Sequence, residues 1–289
     1  MATFEELTAA GLRAVANPSC RGAALDLGAT VTSWQPTGQA DVLFLSRDAR
    51  VSEGDEVHGG IPICAPWFGW GRDDVPVPRP HGLVRWVPWR LVDEVIDDDA
   101  TTLVWELSGD DVAHLPGAGD YPADITFRHE ARFGDALTLS LTITSPTTSF
   151  VLDQAFHTYF AVSDVMDVVV GGLGGLRYRD YTDGATWHDS TEALHVREHT
   201  DRIYDGAPTV TITDADRVLT LTTTGASNTV VWNPGPDGAQ SLRGWAGDEW
   251  TGMLCVEIGN VQHNAVTVPA GGSHTMSMQV AVRPVKNSA

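Results

Sequence analysis

The chain has 289 residues, a mass of 31.0 kDa and 42% hydrophobic residues, enough for a sizeable core, which excludes wholesale disorder and a small disulfide-stapled scaffold. Acidic residues number 38 against 18 basic ones, giving a formal charge of -20 and a pI near 4.6. Such a surface repels phosphate backbones and anionic lipid, so neither nucleic acid nor membrane is expected as a partner.

Helical periodicity is confined to Phe4 to Leu12. The acidic stretch from Met1 to Leu12 lacks the apolar run of a signal peptide, and no segment approaches a membrane span, so the expected location is cytoplasmic. Cys20, Cys64 and Cys255 are far apart with no C-x-x-C spacing and read as small buried hydrophobes. Val57 to Trp89 is crowded with Gly, Pro and Trp, and reads as an irregular binding segment.

Alternation dominates thereafter, starting at Leu103 to Leu107. Ile125, Phe127, His129, Ala131 and Phe133 alternate with polar residues, as do Leu137, Leu139, Leu141 and Ile143. Gly134-Asp135 between them predicts a hairpin. Further strands are predicted at Val168 to Val170, Val210 to Thr213, Val218 to Thr224, Val230 to Trp232, Met253 to Ile258 and Met276 to Val282. The glycines from Gly171 to Gly175 lack dinucleotide-loop spacing and read as a turn, and Asn233 to Trp250 reads as a second irregular segment. Many short strands without intervening helices, and no compositional break, predict an all-β fold: one large antiparallel β-sandwich domain over residues 1–289.

Chemistry-bearing motifs are sparse. The only lysine is Lys286, which removes a Schiff-base or P-loop lysine from the fold. There is no H-x-H, H-E-x-x-H or G-x-S-x-G, so no metal, cofactor or serine nucleophile is expected; the near pairs His58/His81 and His195/His199 fall in segments read as loops or edges. What remains is His157, a polar ring among aromatics in QAFHTYF, and Glu257, a lone carboxylate in the apolar run MLCVEIGNV. A carboxylate there must face a donor, a cavity or a substrate. From spacing alone, a hydrogen-bonded core histidine and a paired structural glutamate are favoured over an acid/base pair.

Several segments together resemble the aldose 1-epimerase (mutarotase) superfamily, most closely its glucose-6-phosphate 1-epimerase branch. They are Gly59-Gly60-Ile61-Pro62-Ile63-Cys64 with Pro66-Trp67-Phe68-Gly69, His81-Gly82-Leu83-Val84-Arg85, His157-Thr158-Tyr159-Phe160, Thr200-Asp201-Arg202, Val231-Trp232-Asn233-Pro234, and Asp248-Glu249-Trp250 leading into Cys255 to Val261. The resemblance implies a galactose-mutarotase-type sandwich that interconverts α and β anomers of a hexose without a cofactor, its 6-phosphate being the favoured substrate. It implies His157 as general acid, Glu257 as general base, His81 and Asp201 beside the sugar hydroxyls, and Arg85 on the substrate and its phosphate. Two positions depart from the phosphate-branch pattern: His58 stands where arginine precedes Gly-Gly-Ile-Pro, and Pro80 where glutamine often precedes His-Gly. Arg72, Arg79 or His58 then become candidates for the missing charge. A mutarotase for unphosphorylated aldoses, and a non-catalytic sugar-binding module on the same sandwich, stay open as alternatives.

Overall fold

Two large antiparallel sheets face each other in the computed structural model of the protein, which describes residues 2–72, 75–197 and 199–285. The first has nine strands in the order Leu194–His195, Val169–Gly171, Val210–Thr213, Arg217–Thr224, Gly272–Pro284, Ala136–Ser145, Thr126–Phe133, Thr101–Ser108 and Arg90–Ile96. The alternating runs form it as expected. Phe133 pairs with Leu137 across Gly134-Asp135, and Phe127, Ala131, Leu139 and Leu141 turn inward while Thr126, Arg128 and Arg132 stay exposed. Period-two alternation sends one set of side chains to the core and the other to water.

The second sheet, of eight strands, carries the chemistry. Its order is Thr186–Asp189, Arg177–Asp180, Thr200–Tyr204, Asn228–Asn233, Met253–Asn260, Gln154–Phe156 and Ile63–Cys64, with Tyr159–Ala161 also paired to Met253–Asn260. Leu254, Val256, Ile258, Phe156, Phe160 and Val231 point from it into the main core shared with the nine-stranded sheet. Contact between the layers is direct, for His129 lies 5.8 Å from Phe156 and the Thr158 hydroxyl meets the Met278 sulfur at 3.8 Å.

The opposite face of the eight-stranded sheet is also covered. Two smaller apolar clusters lie there, one around Cys64, Phe68, Ala155, Ile203 and Val230, the other around Tyr159, Trp245, Met253 and Cys255. Parts of the two irregular segments supply the cover. Val57 to Trp89 is mostly irregular as predicted, with only Ile63–Cys64 in a strand among its described residues. Asn233 to Trp250 is more ordered than its composition suggests. It contains a helix, Gly235–Ser241, and enters a 3-10 turn, Glu249–Gly252. Asn233 fixes both ends of this segment: its Oδ1 accepts from Gly235 N at 2.8 Å, and its Nδ2 donates to the carbonyls of Trp250 and Met253.

A three-stranded sheet, Leu12–Ala16, Cys20–Leu25 and Thr30–Pro36, and a pair, Val266–Val268 with Phe150–Leu152, complete the strands. The N-terminal helix is shorter than predicted, Phe4–Ala9, because Gly11 at φ 77° turns the chain into the Leu12 strand. The three cysteines are free and buried, as expected.

One glycine positions the site. Gly82 adopts φ 82°, and a Cβ there would lie 1.9 Å from the Ala65 carbonyl oxygen. That contact seats His81 and, through the 3-10 turn Val84–Trp86, Arg85. Gly82→Ala is expected to cost about 3 kcal/mol, through left-handed backbone strain plus the clash, and to lower the urea midpoint accordingly.

Candidate active site

Register explains how two residues distant in sequence meet. Phe156 pairs with Ile258 and Tyr159 with Cys255, so the register carried through the break at His157 and Thr158 sets His157 opposite Glu257. Directly opposed residues of an antiparallel pair project to the same face. His157 Nε2 accordingly lies 3.6 Å from Glu257 Oε1, with both side chains buried. The ladder opens at this point because His157 N donates instead to the Pro62 carbonyl at 2.9 Å.

The same register argument places Asp201. It pairs with Trp232, which pairs with Cys255, and Cys255 shares a face with Glu257 two residues along. His81 comes from the irregular segment and stands edge-on to His157 with ring centroids 5.2 Å apart. Gly69 N donates to its Nδ1 at 3.4 Å, which puts the His81 proton on Nε2. Arg85 is buried and ion-paired with Glu56 at 3.3 Å, and His58 packs edge-on against Trp245. Tyr159 stacks on His157 at 4.7 Å, and Trp232 lies 6.1 Å from it.

Burial governs the electrostatics. Desolvation, reinforced by the nearby Asp201 charge and opposed by Arg85, raises the Glu257 carboxyl well above the ordinary glutamate range. Desolvation also lowers His157 well below the ordinary histidine value, and His81, Arg85 and His58 push the same way. His81 falls to about 3 by burial and the Arg85 charge, while His58 falls by burial against the pull of Glu56. Burial and Asp180 push Asp201 up to about 6. Only Arg85 and Glu56 keep their charges firmly. Burial opposes the Arg85 charge, but Glu56 and other acidic groups hold it above its ordinary value; burial likewise opposes the Glu56 charge, but Arg85 above all holds it below its own.

Seven buried side-chain nitrogen and oxygen atoms lack a hydrogen-bond partner among the described residues, and five of them belong to this cluster: His58 Nδ1, Arg85 Nη1 and Nη2, Trp245 Nε1 and Glu257 Oε2. Buried polar atoms are nearly always satisfied, so such a concentration marks where polar groups of a ligand would dock. Solvent approaches through Glu56, His81, Asp201 and Trp232, all half-buried.

Of the residues singled out in the sequence, His157, Glu257, His81, Arg85, Asp201 and His58 come together here. Arg72 and Arg79 take other roles. Arg72 donates to the buried Asp153 carboxylate at 3.0 Å, and Arg79 lies 4.7 Å over the Trp86 ring. Glu56, Trp232 and Trp245 were not anticipated. Glu56 sits two residues before His58, but one acid in an acidic stretch carries no distinguishing signal.

His157, Cys255 and Glu257 form the one trio among the described residues with ligand atoms close enough for a metal ion, all within 4.8 Å. Its chemistry favours protons over a cation: burial and the Glu257 charge raise the Cys255 thiol well above its ordinary value, and Glu257 is raised as well. The thiol sulfur lies 3.7 Å from His157 Nδ1, and the histidine's own carbonyl also takes a hydrogen bond from the ring. These contacts keep a proton on Nδ1 and leave Nε2 facing Glu257.

Comparison with known proteins supplies the family. Residues 15–281 match the model of the aldose 1-epimerase family. A protein of Escherichia coli (strain K12) provisionally named glucose-6-phosphate 1-epimerase is 29% identical over 262 residues, 89% of this chain and 85% of the relative. A Salmonella typhimurium protein of the same provisional name is 30% identical over 80% of this chain and 76% of its own length. A crystal structure of a provisional mutarotase from Salmonella typhimurium superposes with a TM-score of 0.86 at 28% identity, covering 95% of this chain and 90% of that one. Galactose 1-epimerase from Lactobacillus acidophilus shares the fold at a TM-score of 0.71 and 12% identity, over 94% and 93% of the two chains. The chain belongs to the aldose 1-epimerase family and is an isomerase of the epimerase type.

Proposed function

We propose that the protein interconverts the α and β anomers of an aldohexose by opening and reclosing the ring, with His157 and Glu257 as the proton-transfer pair. The observation that carries this reading is the 3.6 Å approach of His157 Nε2 to Glu257 Oε1 beside unsatisfied polar atoms. The resemblance and the relatives' provisional names point to a hexose 6-phosphate, whereas the Glu56 carboxylate beside Arg85 favours the free aldose, as argued below.

Ring opening moves two protons. Glu257, as carboxylate, takes the proton of the anomeric O1; the C1–O1 bond becomes a carbonyl as the bond from C1 to the ring oxygen breaks. The ring oxygen takes a proton from His157 Nε2. The products are an open-chain aldehyde, a neutral imidazole and a carboxylic acid. Rotation about C1–C2 followed by the reverse transfers closes the other anomer, so the pair is regenerated each turnover.

The pair's electrostatics suit this cycle. A neutral His157 with a protonated Glu257, the state favoured by burial, is also the state that accompanies the open-chain sugar. The ionised pair differs from it by one proton moved across the gap, so the pair keeps one proton in total. Sugar hydroxyls at Glu257 Oε2 would stabilise the carboxylate and bring the two forms close in energy. His81 Nε2–H and Asp201 stand ready to donate to and accept from the sugar. Aromatic faces at Trp232 and Tyr159 suit the apolar C–H side of the ring.

Glu257→Gln and His157→Asn are each expected to lower kcat by about 100- to 10,000-fold, read by polarimetry or by anomer exchange in NMR, with circular dichroism unchanged. Wild-type rates in both variants would refute the assignment. The pH profile gives a second check. Activity falls on acidification only when the pair binds a second proton, and the lowered His157 sets that limb. The acid limb of kcat/KM is therefore expected below the ordinary histidine value of about 6.5. Because Glu257 is raised, the alkaline limb, where the pair's last proton leaves, lies well above the ordinary glutamate range.

A further inference from the structure

We infer that Glu56 is a specificity-determining residue that makes this site select uncharged aldoses over their phosphates. The inference rests on the function proposed above and names the substrate class of the same site.

Three observations carry it. First, the one firmly charged cation in the cluster, Arg85, already has an anion beside it, the Glu56 carboxylate at 3.3 Å. Second, the order of the pair from solvent inward is unfavourable to another anion. The Arg85 side chain is 1% exposed and that of Glu56 30%, so a phosphate arriving from water meets the carboxylate first. To reach the guanidinium it must displace Glu56 or sit against it, and like charges at close range are costly where water is excluded. Third, none of the other basic residues singled out in the sequence makes up the difference. Burial keeps His58, His81 and His157 neutral, and Asp201, close enough to disturb Glu257, adds negative charge once it ionises. Arg72 is committed to Asp153 and Arg79 lies against Trp86.

The same arrangement is well suited to hydroxyl groups. A guanidinium whose Nη1 lacks an acceptor, and whose Nη2 lies 3.3 Å from an adjacent carboxylate, presents a donor and an acceptor side by side. A sugar hydroxyl can accept from the former and donate to the latter without disturbing the ion pair. A phosphate dianion has no proton to offer the carboxylate.

The test compares glucose and glucose 6-phosphate with the wild-type protein and Glu56→Gln, by NMR anomer exchange and by calorimetric binding. Wild-type protein is expected to favour glucose in kcat/KM and in affinity. Glu56→Gln, which removes the charge and keeps the shape, is expected to raise the ratio of 6-phosphate to glucose kcat/KM by at least about tenfold. A wild-type preference for the 6-phosphate overturns the inference, as does an unchanged ratio in the variant. The wild-type comparison needs no substitution, so a variant that fails to fold does not rescue the idea. Glu257→Gln run in parallel keeps the two readings apart. Loss of turnover on both sugars in that variant supports the catalytic pair whatever the wild-type preference, while retained turnover refutes the pair and leaves the calorimetric preference to decide on Glu56.

Discussion

Everything at this site depends on one costly act, the burial of a carboxylate in the middle of a strand whose eight residues are all buried. A glutamate placed there destabilises the fold unless it is neutral or matched. The protein answers with a proton rather than a full salt bridge. The cation that faces Glu257 is not adjacent to it but committed to Glu56, and its nearest partner is an imidazole that burial makes equally reluctant to ionise. Two groups whose charged forms are both disfavoured lie 3.6 Å apart, and in the proposed reaction they act as a relay whose neutral and ionised states can be balanced by what binds beside them. Stability and reactivity therefore draw on the same desolvation.

The scaffold keeps that relay in register. Directly after Glu257, the side chains of Asn260, Gln154, Asn228 and Ser227 link four strands: Gln154 donates to Asn260 at 3.1 Å, Asn260 to Ser227 at 3.0 Å, and Asn228 accepts from Val261 N while donating to the Tyr204 carbonyl. A one-residue slip of the Glu257 strand would send the carboxylate into the main apolar core and Val256 or Ile258 to the site face. These amides make such a slip expensive, since each would lose a buried partner. Glu249 plays a similar part at the rim, where it accepts from the Ser46 hydroxyl and from Arg47 and ties the Asn233 to Trp250 segment to the chain at Ser46 and Arg47.

How much of this was legible in the sequence follows from where each residue sits. The hairpin from Thr126 to Ser145 has one face in the core and one in water, so alternation announced it. The strands Gln154–Phe156 and Tyr159–Ala161 are short and covered on both faces, and Arg90–Ile96 is an edge with little buried, so none shows a period of two. Glu257 was visible because it is the only charge in an apolar run, and His157 because it interrupts aromatics. Their meeting was not visible from periodicity, because pairing between distant strands is set by the whole sheet; only the family resemblance tied them together. Arg72 shows the converse. Its composition and neighbourhood suited an anion site, yet a buried Asp153 elsewhere claims it.

A net charge of -20 lies mostly on the outside, where water and salt screen it over roughly 10 Å at ordinary ionic strength. That field alone would not keep an anion from a well-built cationic pocket. What decides the matter is local: whether the guanidinium faces its ligand unopposed or already shares its charge. In this chain a histidine stands at position 58, where the resemblance implies an arginine, and Glu56 neutralises Arg85, while the proposed proton-transfer pair, His157 and Glu257, is separate from both. The proposed acid/base pair and the proposed charge selectivity thus sit on separate elements, the first on paired strands of the sheet and the second on the irregular segment that covers it. Such a division lets one sandwich keep a reaction while its covering segment changes the sugar it accepts.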